Sequence, residues 1–306
     1  MKAIQYKAFG KSDVLQLNET DKPTIQENEV LIKIEAITVN PLEMKIREGY
    51  LQQAMPITLP YTPGSDVSGI VEAVGNRVSR IKVGDKVYAT NYGGTYAEYI
   101  SLNEEQVAII PTNISLNEAA ALAIPLTTAY TLLIEAGQLQ EGQKVLIHGA
   151  SGGVGSIMVQ MAKVLGAYVI GTTSGTELDR VKALGADEVI DYKTQDFTAI
   201  LKDVDIVADL VGGETQTKSF EVLKKGGKLI STVMPPSAEM GEKFQVATQF
   251  IMSNPSYKKL DFFKEMIEQG KITAQISKTM KLEQAAEAQD LVSKGGLNGK
   301  LVLEIN

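Results

Sequence analysis

The stretch Lys144–Gly166, KVLIHGASGGVGSIMVQMAKVLG, constrains the fold more than any other part of the chain. Val145, Leu146 and Ile147 form a short apolar run, as in a strand buried on both faces of a parallel sheet. Gly149-Ala150-Ser151-Gly152-Gly153-Val154-Gly155 follows, and then Ile157, Val159, Met161, Ala162 and Leu165 continue at helical spacing. Gly166 suits a helix C-cap. Strand, glycine-rich turn and helix are the setting a dinucleotide fingerprint requires. Gly152 lets a pyrophosphate approach the backbone, Gly155 lets helix and strand pack closely, and the first helical turn points its N–H groups at the phosphates. Ser151, Gly152, Gly153, Val154 and Gly155 are therefore candidate cofactor-binding residues. Ala150 departs from G-x-G-x-x-G, and a tight turn without a ligand is the alternative. A following strand, from Tyr168 to Gly171 and on into Thr172-Thr173-Ser174, arrives at the spacing the dinucleotide reading needs.

From Lys144 to about Val233 the pattern alternates. Strands are expected at 144–149, 168–172, 187–190, 204–209 and 227–232, with helices at 154–165, 176–184, 195–202 and 214–224. That is an α/β fold with a doubly wound parallel sheet of the Rossmann type. Residues before about 115 read differently. Short strands at Lys2–Ala8, Glu29–Val39, Ser68–Val74, Val87–Ala89 and Thr95–Ile100 suggest a small barrel. Asn40-Pro41 breaks the second of them, and a short helix is expected to Arg47 with Pro41 in its first turn. Ser115 and Glu118 have capping-box spacing, and Pro125 is expected to break or kink the helix that follows. Residues 256–269 read as one amphipathic helix packed on the sheet, Leu282–Ser293 as another helix, and Lys300–Ile305 as a closing strand.

Composition removes several classes of function. The chain has no cysteine and one histidine, His148, at the end of a core strand. Disulfides and a thiol nucleophile are excluded, and a zinc site built from imidazole and thiolate lacks its ligands. A net charge of -7 argues against nucleic acid and against an anionic membrane surface. MKAIQYKAFG has no signal-peptide core, and no apolar run is read as long enough to span a membrane, so a cytoplasmic location is expected.

The segment Ile124–Gly155, IPLTTAYTLLIEAGQLQEGQKVLIHGASGGVG, resembles the medium-chain dehydrogenase/reductase superfamily, in particular its zinc-independent quinone oxidoreductase and zeta-crystallin branch. Val39-Asn40-Pro41, Pro63-Gly64-Ser65-Asp66-Val67-Ser68-Gly69, Val83–Val87, Gly94–Tyr99 and Gly299–Leu303 fit the same pattern, so the resemblance covers essentially the whole chain. It implies a GroES-like β-barrel domain at 1–118, a Rossmann nucleotide-binding domain at 119–260 and a segment, 261–306, that returns to the barrel. It also implies an active cleft between the domains. The zinc-dependent branch carries cysteine near the position of Asn40 and G-H-E where this chain has Gly64-Ser65-Asp66. Without a Lewis acid, alcohol oxidation is a poor expectation. Hydride transfer to an electron-poor acceptor such as a quinone needs less help.

An NAD enzyme places an acid at the end of the second strand. Here Thr172-Thr173-Ser174 is uncharged, which favours NADPH over NADH. The resemblance carries Ser174 and Tyr192 over to the 2′-phosphate and adenine side. A lysine often found in the family is replaced by Leu178, leaving Arg180 and Lys182 as nearby cations and Glu177 and Asp179 as opposing acids. Asn40 and Thr128 are carried over as nicotinamide-side groups; a turn Asn and a self-bonding helix Thr are the alternatives. Tyr50, Tyr61 and Tyr92 are candidates for the acceptor pocket, where a ring could stack on a flat quinone. Asp209 reads as a cap or sheet-end residue. No general acid is named. The expected function is NADPH-dependent, zinc-independent quinone reduction. The alternatives are C=C reduction of an enal or enone, and a non-catalytic NADPH-binding protein. A homodimer is expected by resemblance.

Overall fold

A computed structural model describes residues 1–305. The chain divides into two compact units. The first holds Met1–Ile124, Pro255–Glu268 and the segment from Thr273 onward; the second holds Pro125–Asn254 and Gln269–Ile272.

The second unit is a six-stranded sheet. In space its strands run 188–191, 168–173, 144–148, 204–209, 223–231 and 247–250, and every adjacent pair is parallel. Counted along the chain this is 3-2-1-4-5-6, the order of a dinucleotide-binding fold. The switch point lies between Lys144–His148 and Val204–Asp209. Its strands carry continuous apolar runs because helices cover both faces: Val145, Leu146, Ile147, Val207 and Ala208 are all fully buried. The sixth strand, Ala247–Phe250, was not expected. It is an exposed edge with little apolar patterning.

The first unit is built on a seven-stranded sheet in which Glu29–Thr38 is central. That strand pairs with Asp66–Val74, Tyr99–Asn103 and Lys300–Glu304. The pairing Val302↔Thr38 and Leu303↔Ile37 returns the end of the chain to the barrel. Ile32, Ile34, Val67, Val71, Leu301 and Leu303 meet in one core.

Several expectations are corrected. Of the break or kink expected at Pro125, the break is absent: the helix runs from Leu116 to Tyr130 and continues as a π-helical segment, Thr131–Ala136. Ala119–Ala123 and Leu126 are buried around it, and that packing outweighs the one lost backbone bond. Ser115 and Glu118 do form the capping box. Ser115 N donates to Glu118 Oε2 at 2.8 Å, and Glu118 N donates to Ser115 Oγ at 3.3 Å. The stretch Leu116–Ala136 is long and apolar enough to cross a membrane, with mean hydropathy 1.5, contrary to the expectation of no such run. Two-thirds of it (67%) is buried, as in a core helix. The single helix expected at 256–269 is two, Tyr257–Asp261 and Lys264–Glu268, and it belongs to the first unit rather than to the parallel sheet. Residues 95–98 are irregular, and the strand begins only at Tyr99. Gly93 and Gly94 both sit at positive φ just before it, where an extended run cannot start.

Candidate functional site

The glycine-rich turn joins the first strand of the parallel sheet to the helix Gly155–Val164. Gly149 takes the left-handed conformation, φ +75°. The residue that needs to be glycine for backbone freedom therefore stands one place before the Ala150 departure. Ala150 is fully buried and its N–H donates to Thr172 O at 3.0 Å, which ties the turn to the second strand. Gly155 cannot carry a side chain: a Cβ there would lie 2.1 Å from Gly149 O. Gly152 differs, since a Cβ would meet only Gly149 O at 3.4 Å. The backbone at Gly152 is thus bare without a structural need for it, the form expected of a surface that receives a ligand. Within the turn Gly152 N donates to Gly149 O at 3.1 Å and Ser156 N to Gly152 O at 2.9 Å, and the helix that follows points the positive end of its dipole at the turn. An oxygen-rich anion such as a pyrophosphate fits this cradle, made by Ser151, Gly152, Gly153, Val154 and Gly155.

The end of the second strand lies against the same turn. Thr173 Oγ1 donates to Ser151 Oγ at 2.8 Å, and Arg180 Nη1 donates to Ser151 O at 3.1 Å. Arg180 also pairs with Glu177 Oε2 at 3.3 Å. Ser174 Oγ lies 3.4 Å from Thr176 Oγ1. Tyr192 N donates to Thr173 O at 3.1 Å, while its ring is 59% exposed. The structure thus gathers Ser151, Thr173, Ser174, Arg180 and Tyr192 at one end of the sheet. Sequence reasoning left the reach of Arg180 open; its contact with the glycine-rich turn emerges only from the helix Leu178–Ala183 folding back.

His148 is a packed strand residue, as expected. It is fully buried between Thr172 Oγ1 at 3.0 Å and Ser219 Oγ at 2.9 Å. Burial pulls its pKa down to about 4, so it is neutral near pH 7. Asp209 is structural as well. Its Oδ1 accepts from the N–H groups of Val211 and Gly212 at 3.0 and 2.7 Å, and its Oδ2 from Gln216 Nε2 and Ser231 Oγ, both at 2.8 Å. Thr128 lies in the helix Leu116–Tyr130 and is partly buried.

In the first unit, Tyr61 and Tyr92 are brought together: Tyr61 Oη donates to Tyr92 O at 3.4 Å. Burial raises both phenol pKa values, which keeps them protonated donors. Tyr50 is 77% exposed and belongs to no such pair. Asn40 is buried as the N-cap of Pro41–Arg47. Its amide meets Glu43, Asp66 and Lys300, a polar group that sequence reasoning did not find. Gly299-Lys300-Leu301 reads as a strand start, and only the closing of the barrel brings Lys300 to Asn40.

Residues 26–112 match the family described as alcohol dehydrogenase GroES-like domain, and residues 184–303 match that described as zinc-binding dehydrogenase. Among the described residues no group of three or more His, Cys, Asp or Glu is placed to hold a metal ion, and the one imidazole is walled in at His148. The chain is 37% identical to the 2-methylene-furan-3-one reductase of Solanum lycopersicum, over 99% of this chain and 79% of that protein. It is 34% identical to the quinone oxidoreductase of Mus musculus, over 99% of this chain and 97% of that protein. Among solved structures it is similar to the Escherichia coli quinone oxidoreductase complexed with NADPH, with a TM-score of 0.89, 27% identity, and coverage of 99% of this chain and 100% of that one.

Proposed function

Because the chain belongs to the medium-chain dehydrogenase/reductase superfamily and to its quinone oxidoreductase branch, an oxidoreductase family, we propose that it reduces quinones with NADPH and without zinc. The observation that carries the cofactor half is the cluster at the end of the second strand. Hydroxyls of Ser151, Thr173 and Ser174 and the Arg180 guanidinium stand beside a bare glycine backbone, and no carboxylate ends the strand to bind a ribose diol. A guanidinium offers paired donors to a phosphate and is always charged. Glu177 occupies Arg180 as a resident carboxylate, which a 2′-phosphate would displace.

The bound dinucleotide supplies the hydride. The chain's residues position it: the glycine-rich turn holds the pyrophosphate, Ser174, Arg180 and Tyr192 the phosphorylated ribose and adenine, and Thr128 the carboxamide end. A quinone takes the hydride and one proton to give a hydroquinone, while NADPH becomes NADP⁺. The reduced oxygens accept that proton from water readily, so no buried acid is needed. Tyr61 and Tyr92, held as protonated phenols, are the candidates to bind the flat acceptor.

The similarity to the tomato 2-methylene-furan-3-one reductase favours a second reading, reduction of an activated C=C bond on the same scaffold. Oxidation of NADPH is followed at 340 nm with 1,4-benzoquinone and, separately, with 2-hexenal. Turnover with the quinone at tenfold or more higher kcat/KM supports the first reading, and the reverse order supports the second. Oxidation with neither contradicts both. A homodimer belongs to the same proposal: the strand Ala247–Phe250 is the sheet's edge and Phe250 is exposed beside it.

A further inference from the structure

The second strand of the parallel sheet ends without an acid, but the strand beside it does not. Asp191 closes the strand Glu188–Asp191 and is the register partner of Thr173. Neighbouring strands lie about 4.8 Å apart. A carboxylate therefore stands one strand spacing from the place where an NAD enzyme carries its own. Its side chain leans toward that place. A Cβ on Gly175 would lie 2.8 Å from Asp191 Oδ2 and 3.4 Å from its Cγ. Gly175 directly follows Ser174 and is exposed.

The carboxylate is fixed in this position. Its Oδ1 accepts from Lys193 N and its Oδ2 from Thr194 Oγ1, both at 3.0 Å, and Asp191 N donates to Gln195 Oε1 at 3.0 Å. Gly175 does not take a positive φ, so its backbone alone does not ask for glycine. The close carboxylate does. A carboxylate has about four acceptor positions, and the two bonds to Asp191 leave the others open. The two acids beside this turn also differ in charge balance. Glu177 is matched by Arg180 at 3.3 Å, whereas among the described residues no lysine or arginine forms an ion pair with Asp191.

We propose that Asp191 is a specificity-determining residue of the nucleotide site, a fixed negative charge that opposes a 2′-phosphate at the Ser174–Gly175 turn and so limits the preference for NADPH over NADH. The proposal rests on the NADPH reading of this turn and concerns the parallel-sheet unit alone. Arg180 attracts the phosphate and Asp191 repels it, and the margin between the nucleotides is set by both. Because the turn is exposed, the repulsion is screened by salt.

The test is calorimetric titration of the full chain with 2′,5′-ADP and with 5′-AMP, which differ only in the 2′-phosphate. Asp191→Asn removes the charge and keeps an oxygen to accept from Lys193 N. It is expected to bind 2′,5′-ADP threefold or more tighter while AMP stays within twofold, so that the affinity ratio rises threefold or more. The rise is expected at about 0.02 M salt and to shrink below twofold at about 0.5 M. A ratio that rises less than threefold at low salt, or a rise that salt leaves unchanged, overturns the proposal; Asp191 then only shapes its own turn. Where Asp191→Asn does not fold, Asp191→Ser carries the same test, since its hydroxyl can accept from Lys193 N. If the unaltered protein binds neither probe, the nucleotide reading falls and this proposal with it. If it binds both and the variant leaves their ratio in place, this proposal alone falls.

Discussion

In the proposed NADPH site, Arg180 is the side chain on which the choice of nucleotide would turn. Its guanidinium bonds the glycine-rich turn at Ser151 O and is held by Glu177. A charged hydrogen bond to a phosphate contributes about 1.5–3 kcal/mol. Arg180→Met should therefore weaken NADPH about tenfold or more, while NADH, which lacks the 2′-phosphate, stays within twofold; fluorescence titration of both nucleotides checks this. A fall of equal size for both would show Arg180 to be a support for the turn. The sequence named Arg180 and Ser174 as neighbours of the second strand's end, but not their geometry, because the fold-back of a short helix has no periodic signature. His148 and Asp209 were legible as structural residues, since each ends a core strand where burial is certain. Lys300 was not legible: its partners Asn40 and Asp66 lie more than 200 positions away (|i−j| 260 and 234), and nothing local marks a buried ammonium.

At the scale of elements, the glycine-rich turn separates shape from recognition. Gly155 is required by packing, as its Cβ would strike the Gly149 carbonyl at 2.1 Å. Gly152 has room for a methyl group within the protein. Gly155→Ala should lower the Tm by several degrees, the result of a backbone clash costing about 2 kcal/mol or more. Gly152→Ala should keep Tm within about 2 °C and yet weaken both nucleotides, because the methyl group enters ligand space; thermal denaturation together with titration separates the two outcomes. The strand–turn–helix and the four parallel strands around it were readable because buried strands give uninterrupted apolar runs. The strand Ala247–Phe250 was not, because an edge strand needs no such run. Residues 256–269 misled for a related reason. Leu260, Phe263 and Ile267 are buried at helical spacing, but the helix stops at Asp261 and restarts at Lys264. Periodicity reports the buried face and does not report such an interruption.

For the whole molecule, the buried polar group in the first unit couples stability to pH. Glu43 is enclosed by Tyr96, Asn40 and the Asp66 carboxylate, with Lys300 beyond Asp66 and Arg47 on its own helix. Burial, together with the nearby Asp66 charge, raises its pKa from 4.5 to about 7 against the hydrogen bonds that favour the anion. The folded state then holds a proton that the unfolded state releases. Stability from this group is complete below pH 4.5 and is lost as pH rises through about 7, a change of the order of 3 kcal/mol. His148, with its pKa lowered to about 4, has the opposite sign and loses stability as pH falls from 6.5. Glu43→Gln should remove the first contribution, so the Tm of the variant rises more steeply with pH between 4.5 and 7 than that of the unaltered protein. Parallel curves would show that Glu43 does not titrate there.

The parallel-sheet unit is proposed above as a site for NADPH. Equilibrium titration of the unaltered protein with NADPH and with NADH, followed by nucleotide fluorescence, tests it most directly, with Ser174→Asp measured alongside. NADPH is expected to bind tighter by tenfold or more, a difference of about 1.4 kcal/mol, with loss of that margin in Ser174→Asp, where a carboxylate would repel the 2′-phosphate. Equal affinity for both nucleotides would contradict the phosphate reading, and binding of neither would contradict the account as a whole.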